Sequence, residues 1–384
     1  MKKLVLSGKK IITGAGSLSY LKELSFHRAI IITGGRSMLD TGVIGKASTY
    51  LKENGCDVLV HSGIGKNPTI EEVFHGLSVM QAFKPEAVIA IGGGSAMDCA
   101  KAMLLFYEFP ELNFENVLSL NAAGKIPVDR NTALICVPST SGTGSEMTRG
   151  TVITDTKKEL KVPIMTDCLR PDIAILDAEL TMTMPEQIVA ETGMDALTHA
   201  IEAYTNHNLD DFDEGLCKSA IEGILKWLYI SYDEKTLEAR EKVHHYQAMA
   251  GIGFANVGLG MVHGIAHSYG AVFNMAHGLT NAVILPYVLQ YNSRNEAVKE
   301  KLSFLSYHCR CKDIIEEIKE LNYKMKIPQS FLKAGITQKQ FEEKFPVLLD
   351  HAMLGATNVN PVKMDVPSMK KMLYSTFYGT EIDF

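Results

Sequence analysis

No segment of this chain concentrates lysine or arginine, and the formal charge at pH 7 is −6. A surface for the phosphate backbone needs clustered cations, so nucleic acid is not an expected partner. Nor does any run approach the ~18 apolar residues of a membrane span. The first ten residues carry lysines on both sides of a three-residue apolar patch, too short for the core of a secretory signal. No membrane association is expected. Cysteine is sparse: seven thiols, at positions 56, 99, 136, 168, 217, 309 and 311, are odd in number and mostly scattered among apolar neighbours. That argues against a disulfide frame and for reduced, buried thiols in a cytoplasmic protein. The Cys309-x-Cys311 pair lacks the second pair that a zinc site of this kind would need. Charged residues reach only 21% against 46% hydrophobic ones, which excludes a disordered chain and describes a soluble enzyme with a sizeable interior. At 384 residues the chain exceeds the usual size of one core, so two domains are expected. No internal repeat or low-complexity tract is visible.

Through the first half, short β-branched runs alternate with helical stretches. Ala29–Thr33 reads as a buried strand, followed by helical periodicity over 41–54. Asp57–His61 is the next strand, and Thr69 with Glu72 three residues on forms a capping pattern that opens a helix. Ala87–Ile91 and Ala133–Val137 are continuous apolar runs, as in parallel sheets covered on both faces. This rhythm predicts a doubly wound α/β domain. Thr151–Thr154 and Ile173–Leu176 are the last strand signals. From Pro185 onward the periodicity is helical, over 186–205, 213–230, 238–258, 259–274 and 278–291. The last ninety residues are amphipathic and punctuated by Pro328, Pro346, Pro361 and Pro367. The boundary is placed near Thr183, dividing the chain into an α/β domain over 1–183 and an all-helical domain over 184–384.

Three glycine-bearing loops follow predicted strands. Ile91-Gly-Gly-Gly-Ser-Ala-Met-Asp-Cys-Ala-Lys101 leaves a buried strand and opens a helix. There Gly92, Gly93 and Gly94 let the backbone approach an anion, and Ser95 with the free amides of the first turn can donate to a pyrophosphate. The loop is neither Gly-x-Gly-x-x-Gly nor a P-loop, since Lys101 lies too far into the helix. The polar loop 138–146 brings Ser139, Thr140 and Thr143 to the carboxyl end of the fourth strand, where ligands of open α/β sheets bind. Their hydroxyls suit a ribose, amide or phosphate. The third loop, Thr33-Gly-Gly-Arg-Ser-Met38, lacks the acid that often binds an adenine ribose at this place. Gly34 leaves space, and Arg36 and Ser37 are placed to meet a 2′-phosphate. With the donor set described next, the loops favour NAD(P), with an inclination to NADP; a solvated Arg36 with NAD bound in the absence of an acid is the alternative.

Asp195 and His199 stand four apart in a helical segment, so both project from one face. His263 and His267 repeat the spacing, and His277 follows at a turn before a helix. Three of the twelve histidines thus fall within fifteen residues, in Gly-rich apolar surroundings with few acids to pair with them. A carboxylate with imidazoles suits a borderline divalent cation, Fe²⁺ or Zn²⁺, rather than a thiolate-bound cluster. His244, His245 and His308, and His207 amid Asp210, Asp211 and Asp213, sit in polar stretches and read as solvated surface.

These motifs carry a resemblance. Gly-Gly-Gly-Ser-x-x-Asp-x-Ala-Lys at 92–101, Pro-x-Thr-x-Gly-Thr-x-x-Glu at 138–146, Gly-Met-Asp-Ala-Leu-x-His-Ala-Ile-Glu at 193–202, and His-Gly-x-x-His with a later His-Gly at 263–278 resemble the iron-containing (group III) alcohol dehydrogenases. The resemblance spans nearly the whole chain, strongly to about residue 290 and loosely beyond. It implies a dehydroquinate synthase-like two-domain plan, with an α/β dinucleotide-binding domain followed by an all-α metal-binding domain. It implies Asp195, His199, His263 and His277 as metal ligands and His267 as the unligated histidine beside the substrate. Asp98 and Lys161 would lie with the cofactor, and a homodimer is implied, with the N-terminal strand as a contact. Two departures stand out. Gly34 occupies a position where many members carry an Asp associated with NAD preference, and Ser268-Tyr269 replaces a frequent Pro-Leu, which is expected to alter the pocket's shape.

The expected activity is metal-dependent, reversible hydride transfer between a short alcohol or diol and NAD(P), in the cleft between the domains. His267 would pass the hydroxyl proton towards solvent, and Phe254, on the helix before His263, would wall the substrate pocket. Glycerol-type polyol dehydrogenases and dehydroquinate synthases share the plan but use three protein ligands. A non-catalytic cofactor-binding protein with a vestigial site is the remaining alternative, and four filled ligand positions stand against it.

Overall fold

The computed structural model describes residues 4–158 and 160–384; Met1–Lys3, the start of the stretch read for a signal, lie outside the described residues. The chain divides into two compact units, Met1–Thr183 and Met184–Phe384. In the first, the strands are β1 Lys10–Thr13, β2 Arg28–Thr33, β3 Asp57–His61, β4 Ala87–Gly92, β5 Ala133–Pro138, β6 Gly150–Asp155, β7 Leu160–Met165 and β8 Ile173–Leu176. Six of them form a parallel sheet in the order β1-β8-β5-β4-β2-β3. The chain runs outward from β2 to β3 and returns to β4 on the other side of β2, so strand order reverses between β2 and β4. In open α/β sheets that reversal opens a crevice at the strands' carboxyl ends.

Alternation along the strands builds two cores from one set of apolar runs. Ile30, Ile32, Val88, Ala90, Leu134 and Cys136 enter one. Ala29, Ile31, Ile89, Ile91, Ile135 and Val137 enter the other. Each fully buried isoleucine contributes roughly 1.5–3 kcal/mol by leaving water, which explains why both parities of the sequence are apolar. The covering helices include α1 Val43–Lys52, α2 Ile70–Phe83 and α3 Gly94–Glu108. The predicted capping box opens α2: the Thr69 hydroxyl accepts from Glu72 N at 3.2 Å, and the Glu72 carboxylate accepts from Thr69 N at 2.8 Å. One strand expectation is refined. The 151–154 run is not part of the main sheet; as β6 it pairs antiparallel with β7, whose Pro163 and partly exposed pattern hide it from a search for apolar runs.

The second unit is helical and shares one large core. Its helices include α4 Glu186–Thr205, α5 Asp211–Asp233, α6 Leu237–Val257, α7 Met261–Phe273 and α8 His277–Asn292, then α9 Glu296–His308, α10 Ile314–Lys324, α11 Gln338–Ala352 and α12 Val366–Tyr378. The first five fall within a few residues of the predicted bounds. Helices α4 and α5 approach closely because Gly193 has no side chain; a Cβ there would stand 2.1 Å from Leu228 Cδ1. Among the described residues no single helix is long and apolar enough to cross a membrane. All seven cysteines are free, five of them buried and Cys309 and Cys311 half-buried.

Two surface assignments are corrected. His244 is fully buried and His245 half-buried, because helical spacing puts Arg240, Val243, His244 and Gln247 on the inward face of α6 despite their polar neighbours. Burial, with His245 beside it, pushes the His244 pKa down to about 3. Asp213 is also buried, and its carboxylate accepts from Asn256 Nδ2 at 3.0 Å. His207 is exposed and His308 half-buried against Glu222.

Candidate metal and cofactor sites

Positions 195, 199 and 202 recur at the helical period, so Asp195, His199 and Glu202 share one stripe of α4, and all three are buried. Polar groups there need partners. Asp195 Oδ1 lies 3.7 Å from His199 Nε2, 3.7 Å from His263 Nε2 and 3.6 Å from His277 Nε2. The four predicted ligands therefore converge, with ligand atoms all within 4.8 Å of one another. Three are buried and His277 is half-buried.

Glu202 locks α4 to α7. One of its oxygens accepts from the Val262 amide at 2.6 Å, in the first turn of α7, and the other accepts from His263 Nδ1 at 2.6 Å. A negative charge at this helix start is favourable, and a carboxylate on Nδ1 turns the Nε2 of His263 towards the donor set. Gly260 makes room for it: a Cβ there would stand 2.8 Å from Glu202 Oε1. Burial alone would raise the pKa of Asp195, but the imidazoles of His199, His277 and His263 outweigh it and hold the carboxylate far below its ordinary range. Burial would likewise depress His263, yet Glu202 and Asp195 lift it to about 9. A buried carboxylate whose ion-pair partners are imidazoles is a negative pocket of mixed oxygen and nitrogen donors. That donor chemistry fits Fe²⁺ or Zn²⁺.

The remaining predicted residues of this unit fall around the donors. The Phe254 ring stacks on His199, with centroids 4.3 Å apart. His267, half-buried, stacks on His277 at 5.1 Å and stands 6.0 Å from His263. The expectation for Ser268-Tyr269 is corrected: Ser268 Oγ donates to the Gly264 carbonyl of its own helix, and Tyr269 is buried against Phe331 at 3.6 Å. The substitution fills the core rather than facing the metal ligands.

Helix α8 is positioned as tightly as α7. At Gly278, next to His277, a Cβ would stand 2.2 Å from the Glu191 carbonyl oxygen of α4. Backbone cannot rotate aside as a side chain can. Gly278→Ala is therefore expected to push His277 away from Asp195, lowering stability by about 1–3 kcal/mol and weakening metal retention at least about tenfold. Thermal melts and chelator competition measure both; an unchanged metal affinity would show that α8 is not held by this contact.

In the first unit, the three predicted loops leave the carboxyl ends of the neighbouring strands β2, β4 and β5. Gly92 has φ +156°, and its carbonyl accepts from Ser139 N at 2.9 Å, joining two of the loops. A Cβ on Gly93 would lie 3.5 Å from Thr140, and one on Gly94 would lie 2.7 Å from Thr143. The glycines thus let the hydroxyl loop pack over the start of α3, where no side chain caps the helix. Those uncapped amides, beside Thr140 and Thr143, are what a pyrophosphate cradle requires. Ser95 Oγ donates to the Lys66 carbonyl. Gly34 borders the Ile64 carbonyl, while Arg36 and Ser37 are exposed and Arg36 pairs with Asp40 at 3.3 Å.

Asp98 is turned away from the cradle. Its carboxylate accepts from Ser145 Oγ and Val152 N, both at 2.9 Å, and the charge of Lys161 on β7 acts on it. Lys101, outside the predicted site residues, is fully buried, and its Nζ, with three N–H donors, lies 2.6–3.2 Å from five oxygens of residues 145–150. Asp98 and Lys101 stand three apart, one helical turn, and both bind the loop that follows Thr143. Glu202 likewise continues the Asp195/His199 stripe, and Asn281 stands one turn beyond His277. Helical spacing from a named motif residue is the signal that would have found all three.

A parallel α/β unit with a glycine-rich loop at its strand ends, followed by a helical unit that brings one carboxylate and three imidazoles together, fits a metal-dependent dehydrogenase. The chain belongs to the iron-containing alcohol dehydrogenase family: the family model matches residues 8–178, and the model of the family's C-terminal part matches residues 189–377. It is 41% identical to the NADPH-dependent butanol dehydrogenase of Clostridium saccharobutylicum, over 98% of each chain. It is 32% identical to the 1-propanol dehydrogenase PduQ of Citrobacter freundii, over 95% of this chain and 97% of that one. The iron-containing alcohol dehydrogenase of Thermococcus thioreducens has the same fold, with a TM-score of 0.91 at 33% identity over 99% of this chain and all of that chain.

Proposed function

We propose that this protein interconverts short aldehydes with primary alcohols or diols using NADP(H), with Fe²⁺, or Zn²⁺ in its place, held by Asp195, His199, His263 and His277. The observation that carries the reading is the convergence of these four donors within 4.8 Å in a chain of this family. The short-alcohol class follows the relatives named for butanol and 1-propanol, and the NADPH dependence of the former favours NADP. Gly34 in place of an acid, with Arg36 and Ser37 exposed after β2, supports the same cofactor. When bound, the cation supplies Lewis acidity to the substrate oxygen and the nicotinamide exchanges the hydride.

The chain's own groups do the rest. Ser139, Thr140, Thr143 and the first amides of α3 bind the cofactor's phosphates and sugars, and Asp98 and Lys161 support that loop. Glu202 keeps His263 oriented. Phe254, stacked on His199, offers an apolar wall to the substrate chain. His267 is half-buried beside His277 and carries the hydroxyl proton between substrate and water, a task suited to imidazole near neutral pH. The working form is a homodimer.

The test uses anaerobically purified protein and its His267→Ala variant, assayed for metal and for turnover of 1-propanol, 1-butanol and propanediol with each cofactor. Stoichiometric iron or zinc is expected in both proteins, with higher kcat/KM for NADP(H) and slower turnover with an altered pH profile in the variant. Turnover surviving complete metal removal overturns the reading. A preference for NAD(H) overturns the cofactor assignment, and an unaltered pH profile removes the proton role of His267.

A further inference from the structure

Asn281 is fully buried one turn beyond His277 on α8. Its Nδ2 donates to Asp195 Oδ1 at 2.6 Å and stands 3.1 Å from His263 Nε2 and 3.2 Å from His277 Nε2. Those atoms belong to α4, α7 and α8, and they are three of the four candidate metal ligands. No hydrogen bond joins the amide to His199, the fourth. The orientation is chemically determined: turning Oδ1 inward would set an acceptor against the Asp195 carboxylate, whereas Nδ2 presents hydrogens to it. Oδ1 is left buried without a partner, so the Nδ2 contacts alone account for the orientation of the group.

An atom within 3.2 Å of three ligand atoms lies over the face that they define. A carboxamide nitrogen has its lone pair delocalised into the carbonyl and is not a metal donor. It therefore occupies the face without binding a cation, and keeps water from doing so. Resting on the metal site proposed above, we infer that Asn281 is a positioning residue that closes one face of the four-ligand set. A further ligand, the substrate oxygen or a water, then enters only over a face that includes His199. His199 is the ligand on which Phe254 stacks, so the open side of the donor set is the side with an apolar wall. The same amide ties α8 to α4, as Glu202 ties α7 to α4, so the three ligand-bearing helices are joined at the ligands themselves.

Cobalt substitution reads this without depending on turnover. Co²⁺-loaded wild type is expected to show the intense visible absorption of a four- or five-coordinate ion. Asn281→Ala opens the closed face to water and is expected to shift the spectrum to the weak absorption of a six-coordinate ion. Chelator stripping should speed up about 10- to 100-fold, as for loss of other groups that orient metal ligands. An Asn281→Ala protein that matches wild type in both spectrum and stripping rate overturns the inference. Wild type that takes up no Co²⁺ overturns the metal site itself. Should the alanine variant not fold, Asn281→Asp decides: a carboxylate on the same face should bind the ion directly, changing the spectrum and slowing stripping, and the absence of both changes overturns the inference equally.

Discussion

Replacing His263 with alanine is expected to leave a folded protein that retains no divalent cation and has no measurable turnover, while still binding NAD(P)H. Three facts give the size of the effect. His263 supplies one of four donors, it is the donor joined to Glu202, and it is fully buried, so no solvent-exposed group can replace it. Loss of a group that merely orients a ligand costs about 10- to 100-fold in metal affinity; loss of the ligand should exceed that range. The loops proposed to hold the cofactor lie wholly within Met1–Thr183 and share no residue with the donor set, so cofactor binding should be spared. Metal analysis, turnover and a fluorescence titration with NADPH measure the three outcomes. Retained iron would overturn the assignment of His263. The pH dependence adds a sign. With its pKa near 9 in the metal-free protein, His263 holds a proton that a cation must displace. Metal affinity should therefore fall about tenfold for each unit of pH below 9 from this group alone, a slope that chelator competition at several pH values measures. In the metal-free protein the same raised pKa stabilises the fold fully below the unfolded-chain value of about 6.5. That contribution is lost as pH rises through 9.

How much of this was legible beforehand depends on whether the determining contact lies along one element or between elements. The i, i+4 pairs Asp195/His199 and His263/His267 announce a shared helical face, and the continuous runs around Ile30, Ile89 and Ile135 announce strands covered on both sides. Both signals lie along a single element, so helix and strand bounds agree with the structure within a few residues. The partners of those faces are another matter. That Glu202 reaches His263 and the Val262 amide depends on how α4 packs against α7, which no local pattern encodes. His244 and Asp213 looked solvated because their sequence neighbours are polar, whereas burial on a helix is decided three and four residues away. The Ser268-Tyr269 departure adjoins His267 in sequence, which alone suggests a change of pocket. Successive residues on a helix point about 100° apart, and Tyr269 turns into the core.

Lys101 shows the same point with the largest expected effect in the first unit. Its ammonium has no access to water and is held by the carbonyls of Ser145, Thr148 and Gly150 and the hydroxyls of Ser145 and Thr148. Burial pulls its pKa below the ordinary lysine range, with the charge of Asp98 opposing. Asp98 in turn binds Ser145 and Val152, so the two charges together hold the loop over the glycine cradle. Lys101→Met keeps the length of the side chain but leaves buried carbonyls and hydroxyls without their donor and the buried Asp98 charge without the cation that offsets it. Each buried acceptor left unsatisfied costs about 1–3 kcal/mol, so the loss is a large part of the ~5–15 kcal/mol typical of a folded protein. The variant should melt earlier and show a raised KM for the cofactor, with metal content retained, because the ligands lie in Met184–Phe384. Asp98→Asn added to Lys101→Met removes the stranded charge and should recover part of the loss, a coupling that thermal melts of the single and double variants measure. Strictly additive losses would show that Asp98 and Lys101 act independently. An unchanged KM in a folded Lys101→Met protein would show that the loop needs no internal cation to hold the cofactor.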